Sequence, residues 1–264
     1  MSDNIEKILE TAAAAAEAAG GIIMSFLNKA RIDDKGVNNL VTEADISSEK
    51  AIRKIITERY PDHSIMGEEG GGEADPEAEH LWIIDPLDGT NNFAHGFPFF
   101  AVSIAYAQKG IVKVGYVYDP VHDEIFHAVK DGGAFLNGTP IKVSEQALNK
   151  ALIITGFYYD RGEMMRNTLV MVQRLFEQNI RGIRRTGSAA LDCCYVASGR
   201  ADAYVEYQLH TWDFAAGMLI ISEAGGDCRQ ADGRYLGIDS ESIAVCNGVF
   251  TEKLIELVKY PVGV

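Results

Sequence analysis

Between Trp82 and Phe93 the chain reads WIIDPLDGTNNF. An apolar run that predicts a buried strand leads straight into two aspartates, Asp85 and Asp88, with Pro86-Leu87 between them and Gly89-Thr90 after. In an extended strand, side chains three positions apart point to opposite faces. Pro86 fixes one φ and Gly89 permits a tight bend, which predicts a turn that gathers both carboxylates at one point beyond the strand's C-terminal end. Two carboxylates forced together either share a proton or hold a cation. Gly89, Thr90 and Asn91 predict the opening of a helix, whose first N–H groups suit an anion such as phosphate. A cation site beside an anion site is the requirement for metal-assisted phosphoryl transfer.

Further acids stand at the ends of predicted elements, where side chains reach a cleft. Glu68 and Glu69 close the short strand HSIMG, Asp45 opens a helix, and Asp213 starts another in HTWDFAAG after the strand ADAYVE. With the paired aspartates they make an all-oxygen donor set suited to Mg²⁺. Haloacid-dehalogenase-type phosphatases also place acids after an apolar strand, as DxDGT, but there the aspartates lie two apart. Here the spacing is three with a proline between, which argues against a covalent aspartyl-phosphate.

The elements that must position these acids are legible as periodic segments. Residues 4–28 and 43–59 predict helices, the first with an alanine run suited to close packing; Thr42 is placed to cap the second. The polar stretch between them predicts a mobile loop holding Lys35. FFAVSIAYAQ, IVKVGYVYD and EIFHAVK predict an antiparallel meander, its first turn at Lys109-Gly110. From about residue 150 strands and helices alternate, which predicts layered α/β. The expected division is an N-terminal α+β lobe, 1–147, carrying most of the acids, and a C-terminal α/β lobe, 148–264, completing the site.

With 264 residues, 47% of them hydrophobic, the chain can build a sizeable core. Its formal net charge of -14 argues against nucleic acid or an anionic membrane as partner. An acidic N-terminus and the lack of an apolar run near the ~20 residues of a membrane span predict a cytoplasmic protein. Cys193, Cys194, Cys228 and Cys246 show no ligand spacing and are expected to be reduced core thiols.

Taken in order, NLVTEAD at 39–45, Glu68-Glu69, DPLDGTNNF at 85–93, GSAALDCCYVASGRADAYVE at 187–206, WDFAAG at 212–217 and EAGG at 223–226 resemble the inositol monophosphatase family of lithium-sensitive, Mg²⁺-dependent phosphatases. The resemblance implies a layered αβαβα sandwich, usually dimeric. It also implies residue roles: Glu68, Asp85 and the Leu87 carbonyl for a first Mg²⁺; Asp85, Asp88 and Asp213 for a second; Asp45, supported by Glu69, for a looser third. Thr90, paired with Thr42, would orient and help deprotonate the attacking water. Gly89 and Thr90 would bind the phosphate through backbone N–H groups, while Ala189, Glu206, Asp88 and Asp213 would border the substrate. The implied activity is hydrolysis of an inositol phosphate by direct in-line attack of water, inhibited by Li⁺. Broad specificity extending to the 2′-phosphate of NADP or to fructose 1,6-bisphosphate is an alternative, and an inactive regulator that binds phosphorylated ligands is a more distant one. Phe157, Tyr158 and Tyr159 are candidates for stacking on a base or sugar face. Arg184, Arg185, His95 and His210 receive no role, and Met164 and Met165 read as packing.

Overall fold

A computed structural model describes residues 5–27, 32–34, 40–70, 74–157 and 161–259, without the side chains of 32–34 and 40–42. The Thr42 side chain, Lys35, Tyr158 and Tyr159 therefore lie outside the described residues. Helix α1 (Ile5–Phe26) is followed by a two-stranded hairpin, β1 (Ile32–Asp34) with β2 (Leu40–Thr42), and by α2 (Glu43–Arg59). The hairpin corrects the expectation of irregular chain there. Leu40-Val41-Thr42, rich in β-branched residues, is short but pairs in antiparallel register with Ile32–Asp34.

The next segment builds a seven-stranded sheet: β3 (Ser64–Gly67), β4 (Leu81–Asp88), β5 (Ala101–Gln108), β6 (Ile111–Asp119), β7 (Glu124–Val129), β8 (Gly133–Leu136) and β9 (Thr139–Pro140), in that spatial order. Only β3 and β4 run parallel; the rest is an antiparallel meander. Between β4 and β5 lies one short helix, α3 (Thr90–Ala94). The turn from β5 to β6 falls at Lys109-Gly110, both at positive φ (51° and 73°), as a two-residue hairpin needs.

The second sheet has five strands in the order β11-β10-β12-β14-β13, formed by β10 (Leu152–Thr155), β11 (Gly182–Arg184), β12 (Ala203–Tyr207), β13 (Asp227–Arg229) and β14 (Ser242–Cys246). Its helices are α4 (Glu163–Phe176), α5 (Ala189–Ala197), α6 (Thr211–Glu223) and α7 (Thr251–Val258). Strand β10 is parallel to β11 and β12, while β14 is antiparallel to β12 and β13. Strands β8, β9 and β13 are absent from the sequence reading; they are short, and Gly133, Pro140 and Asp227 are poor strand formers.

Three apolar layers bind these elements into an αβαβα sandwich. Ile8, Ala12, Ala15, Ala16 and Ala19 of α1, with Ile52 and Ile56 of α2, pack on Trp82, Ile84, Phe100 and Ile104 of the large sheet. The opposite face of that sheet meets α5 and α6 through Phe126, Ala128, Leu191, Phe214 and Ile220. Helices α4 and α7 cover the outer face of the small sheet through Met171, Leu175, Leu254 and Ile153. By length and composition alone α1 could cross a membrane, which corrects the sequence reading. Its alanine stripe, however, is buried against the sheet. The four cysteines carry free thiols, three of them buried.

The chain between the sheets is anchored by Asp202. Its carboxylate accepts from the backbone N–H of Leu152 at 2.7 Å and from the Ser144 hydroxyl, while Asn247 donates to Ser144 at 3.0 Å and to the Gln146 carbonyl at 2.9 Å. Asp202→Ala leaves the partly buried Leu152 N–H without its acceptor and should cost about 1 kcal/mol of stability in a urea unfolding experiment. A loss below a few tenths of a kcal/mol would show that the anchor is dispensable.

Candidate active site

The two aspartates reach one side by a route different from the turn read in the sequence. Strand β4 continues through Asp88, and its pairing with β5 shifts between Asp85↔Ser103 and Asp88↔Ala101. Two residues on β4, Pro86 and Leu87, thus oppose the single Val102 on β5, a β-bulge. The extra residue cancels the alternation that would send Asp85 and Asp88 to opposite faces. Proline cannot donate to a ladder and is tolerated where the ladder is broken. Gly89 then turns the chain at φ 95°, a left-handed conformation that a side chain disfavours.

These residues open on a cavity of about 350 Å³ lined by Glu68, Asp85, Leu87, Asp88, Gly89, Thr90, Ala189, Glu206 and Asp213 among others. These nine are residues to which the family resemblance gave metal, catalytic or substrate roles, and they converge on one cavity. Asp45 and Glu69 do not line it. Asp45 lies buried behind Thr90, whose hydroxyl is 3.0 Å from the Leu87 carbonyl and 3.5 Å from Asp45 Oδ2. Glu69 donates its backbone N–H to Glu49 Oε2 at 2.8 Å. Helix α3 has only five residues, so the dipole expected at its start is small.

Each acid is held by a local device. Asp85 Oδ1 accepts from the Leu87 N–H at 3.0 Å, across the bulge. Asp88 reaches from the large sheet to the start of α5: its Oδ2 accepts from the Ser188 hydroxyl at 2.5 Å and the Ala190 N–H at 2.7 Å, its Oδ1 from the Ala189 N–H at 3.3 Å. Asp213 sits in the first turn of α6, where Oδ2 accepts from the His210 N–H at 2.7 Å as half of a capping box. Glu206 Oε2 accepts from the Tyr204 hydroxyl at 2.6 Å.

Burial and mutual repulsion raise the pKa of these groups. Asp85 is pushed well above the usual carboxylate range by burial first and then by Glu68, Asp88, Asp213 and Asp45. Asp213 is raised well above it by burial and by Asp88. Asp88 rises to about 6 through burial, opposed by its bonds from Ser188, Ala190 and Ala189. Glu206 rises to about 7 for the same leading reason, opposed by Tyr204 and Arg185. Asp213 and Glu206 keep part of their surface open to the cavity, and water there moderates the effect.

Residues 4–260 match the family model described as the inositol monophosphatase family. The chain belongs to the inositol monophosphatase family. It is 42% identical over 257 residues to the chloroplastic phosphatase IMPL1 of Arabidopsis thaliana, covering 94% of this chain and 69% of that protein. It is 44% identical over 223 residues to Nus factor SuhB of Haemophilus influenzae, covering 83% of each. Among solved structures, the inositol monophosphatase from Anabaena (Nostoc) sp. PCC 7120 superposes with a TM-score of 0.88 at 40% identity, over 98% of both chains. The layered sandwich is the fold of this family, whose members are metal-dependent phosphatases.

The donor set fits a hard divalent cation. Glu68, Asp85, Asp88 and Asp213 offer only oxygens, and the repulsion that raises Asp85 is the kind a cation relieves. Among the described residues no three His, Cys, Asp or Glu side chains already stand grouped to hold a metal ion. Repelling carboxylates, with Asp85, Asp88 and Asp213 each tied to an N–H or hydroxyl donor, have no reason to close on one point before a cation arrives.

Among the residues at the cavity or directly behind it that went without a role in the sequence are Ser188, Arg185, Gln208 and His210. Ser188 is the N-cap of α5, where its hydroxyl accepts from the Leu191 N–H at 3.4 Å. A serine ahead of an apolar helical run was the available signal. Nothing in the local pattern marks Gln208. His95 lies on α3's end, bonded to the Asn91 carbonyl at 2.8 Å.

The raised carboxyls set a pH dependence. A carboxyl whose folded pKa exceeds its unfolded value favours the fold below the unfolded pKa, and that contribution is lost as pH rises through the folded pKa. Metal-free protein should therefore lose thermal stability between about pH 4 and pH 7, the window spanned by Asp88 and Glu206. At pH 7, Mg²⁺ at a hundredfold excess over its Kd should raise Tm by about 5–10 °C. A flat pH profile with no Mg²⁺ response in a thermal-shift assay would contradict the electrostatics of the site.

Proposed function

We propose that the chain is a Mg²⁺-dependent phosphomonoesterase acting on inositol 1-phosphate or a closely related polyol phosphate, in the cytoplasm and as a homodimer. The observation that supports it most is the bulge in β4, which brings Asp85 and Asp88 to the same cavity as Glu68, Asp213 and Glu206. Glu68, Asp85 and the Leu87 carbonyl would hold one Mg²⁺, and Asp85, Asp88 and Asp213 a second; Asp45, with Glu69 behind it, would serve a third. Bound there, the ions supply positive charge that acidifies water and offsets charge on the phosphate and the departing oxygen.

The chain's own groups aim the reaction. Thr90 Oγ1 accepts a hydrogen bond from the attacking water and lies within reach of Asp45 Oδ2, toward which a proton can move. The water oxygen forms a bond to phosphorus as the ester P–O bond opposite breaks, with no phosphoenzyme. The backbone at Gly89 and Thr90 binds the phosphate. Asp213, fixed in its capping box, orients the water that returns a proton to the leaving oxygen. Ala189 leaves room for the ring of the leaving alcohol, and Glu206 accepts from its hydroxyls.

The cavity volume bears on substrate class. About 350 Å³ suits a phosphorylated sugar or cyclitol better than a larger dinucleotide such as NADP. The Nus factor name of the Haemophilus relative favours one further reading, a partner-binding role carried beside catalysis. Calorimetry that finds no Mg²⁺ binding would make that role the principal one.

Phosphate release from a panel of inositol, sugar and nucleotide esters at saturating Mg²⁺, with and without Li⁺, is the direct test. Asp88→Asn and Asp213→Asn should each lower kcat by about 10²–10⁴-fold while remaining folded by circular dichroism. Near-normal turnover in either variant would refute the assignment.

A further inference from the structure

Strand β12 carries Tyr204 and Glu206 on one face, and Gln208 follows just past its end. Glu206 and Gln208 both line the cavity. The first two are coupled. Tyr204 is fully buried and donates to Glu206 Oε2 at 2.6 Å, and the carboxylate lies against Gly156, where a Cβ would overlap it. The carboxylate is thereby fixed in one place.

Gln208 carries two costs at once. Its φ is 58°, the left-handed region that non-glycine residues enter at a cost on the order of 1–2 kcal/mol. Among the described residues, the other non-glycine residues at positive φ are Lys109, Asp123, Asp131, Asn137 and Asn179. Each lies in a turn between adjacent strands or just past a helix, where local geometry demands it. Gln208 alone lines the cavity. Its Oε1 is also buried, with no hydrogen-bond partner among the described residues. Glycine would take the same backbone turn without steric cost and without an orphan acceptor. Strain and an unsatisfied polar group on one cavity residue point to a ligand that repays both.

We infer that Gln208 is a substrate-binding, specificity-determining residue, whose carboxamide turns into the cavity to hydrogen-bond a hydroxyl of the leaving alcohol beside the Tyr204-held Glu206. The inference deepens the reading under Proposed function and rests on it. The substrate class is a phosphate ester whose alcohol bears neighbouring hydroxyls on the side away from the phosphate. Tyr204 acts through Glu206 and is a positioning residue.

The test compares wild type, Gln208→Gly, Gln208→Ala and Tyr204→Phe on inositol 1-phosphate and on p-nitrophenyl phosphate, whose alcohol has no further hydroxyl. Gln208→Gly should keep or raise Tm while its kcat/KM ratio for inositol 1-phosphate over p-nitrophenyl phosphate falls about 3–10-fold, mainly through KM. Gln208→Ala should lower the ratio similarly with less gain in Tm than Gln208→Gly, because alanine keeps the strained φ that glycine relieves. Tyr204→Phe should lower the ratio through KM, with kcat on inositol 1-phosphate within about twofold. If Gln208→Gly leaves the ratio unchanged, or loses Tm and both activities in proportion, the residue is structural and the inference fails. Wild type that hydrolyses neither ester with Mg²⁺ would overturn the proposed function and this inference together; with wild type active on both, a failure of the Gln208 variants to shift the ratio overturns this inference alone.

Discussion

Burying Asp88 between two sheets is costly for a charge, and the start of α5 offsets that cost with a hydroxyl and two backbone N–H groups. The same carboxylate comes from the end of β4 in the large sheet, while the donors cap a helix of the small-sheet layer. One charge-assisted network therefore fastens the two layers at the place where the cavity opens. Glu206 and Asp213 arrive from the second layer, Glu68 and Asp85 from the first, and their separation across the cavity is set by how Asp88 meets α5.

The remaining acids are arranged against their own electrostatic interest. Asp85 feels Glu68, Asp88, Asp213 and Asp45, and all of them raise its pKa. Among the described residues no lysine lines the cavity, and the one arginine there, Arg185, is exposed and shifts Glu206 and Asp192 without an ion pair. A fold that only needed stability would place neutral residues at these positions. The arrangement is favourable once positive charge enters, which links the stability of this region to the ion that its chemistry uses.

The helices and long strands were legible because their periodicity is strong. α2 and β6 fall on the boundaries read from the sequence, since Ile46-to-Ile56 spacing and the alternation in IVKVGYVYD leave little ambiguity. The convergence of Asp85 and Asp88 was legible as a need, but its means was not. Proline and glycine announce a departure from regular strand, and whether that departure is a turn or a bulge depends on where β5 pairs, a non-local fact. Short strands such as β13 exist because β14 offers a partner edge, so propensity gives them no signal. Ser188 was legible in principle as a cap, whereas the positive φ of Gln208 contradicts its residue type and leaves no trace in the pattern.

On the proposed function, catalytic and selective tasks would fall on different strands. The bulged end of β4 would supply the acids closest to the reacting phosphate, and it is surrounded by buried apolar chain that permits little change. The end of β12 would face the leaving alcohol from the opposite layer, with Glu206 and Gln208 at the cavity. A substitution at the end of β12 would then alter what the cavity accepts without moving the carboxylates of β4, which Asp88's bonds to α5 and the Asn92 bond to the Thr186 carbonyl hold in place. Such a separation would let one acid cluster serve esters of different alcohols, with substrate choice set where the backbone is strained rather than where the charge is concentrated.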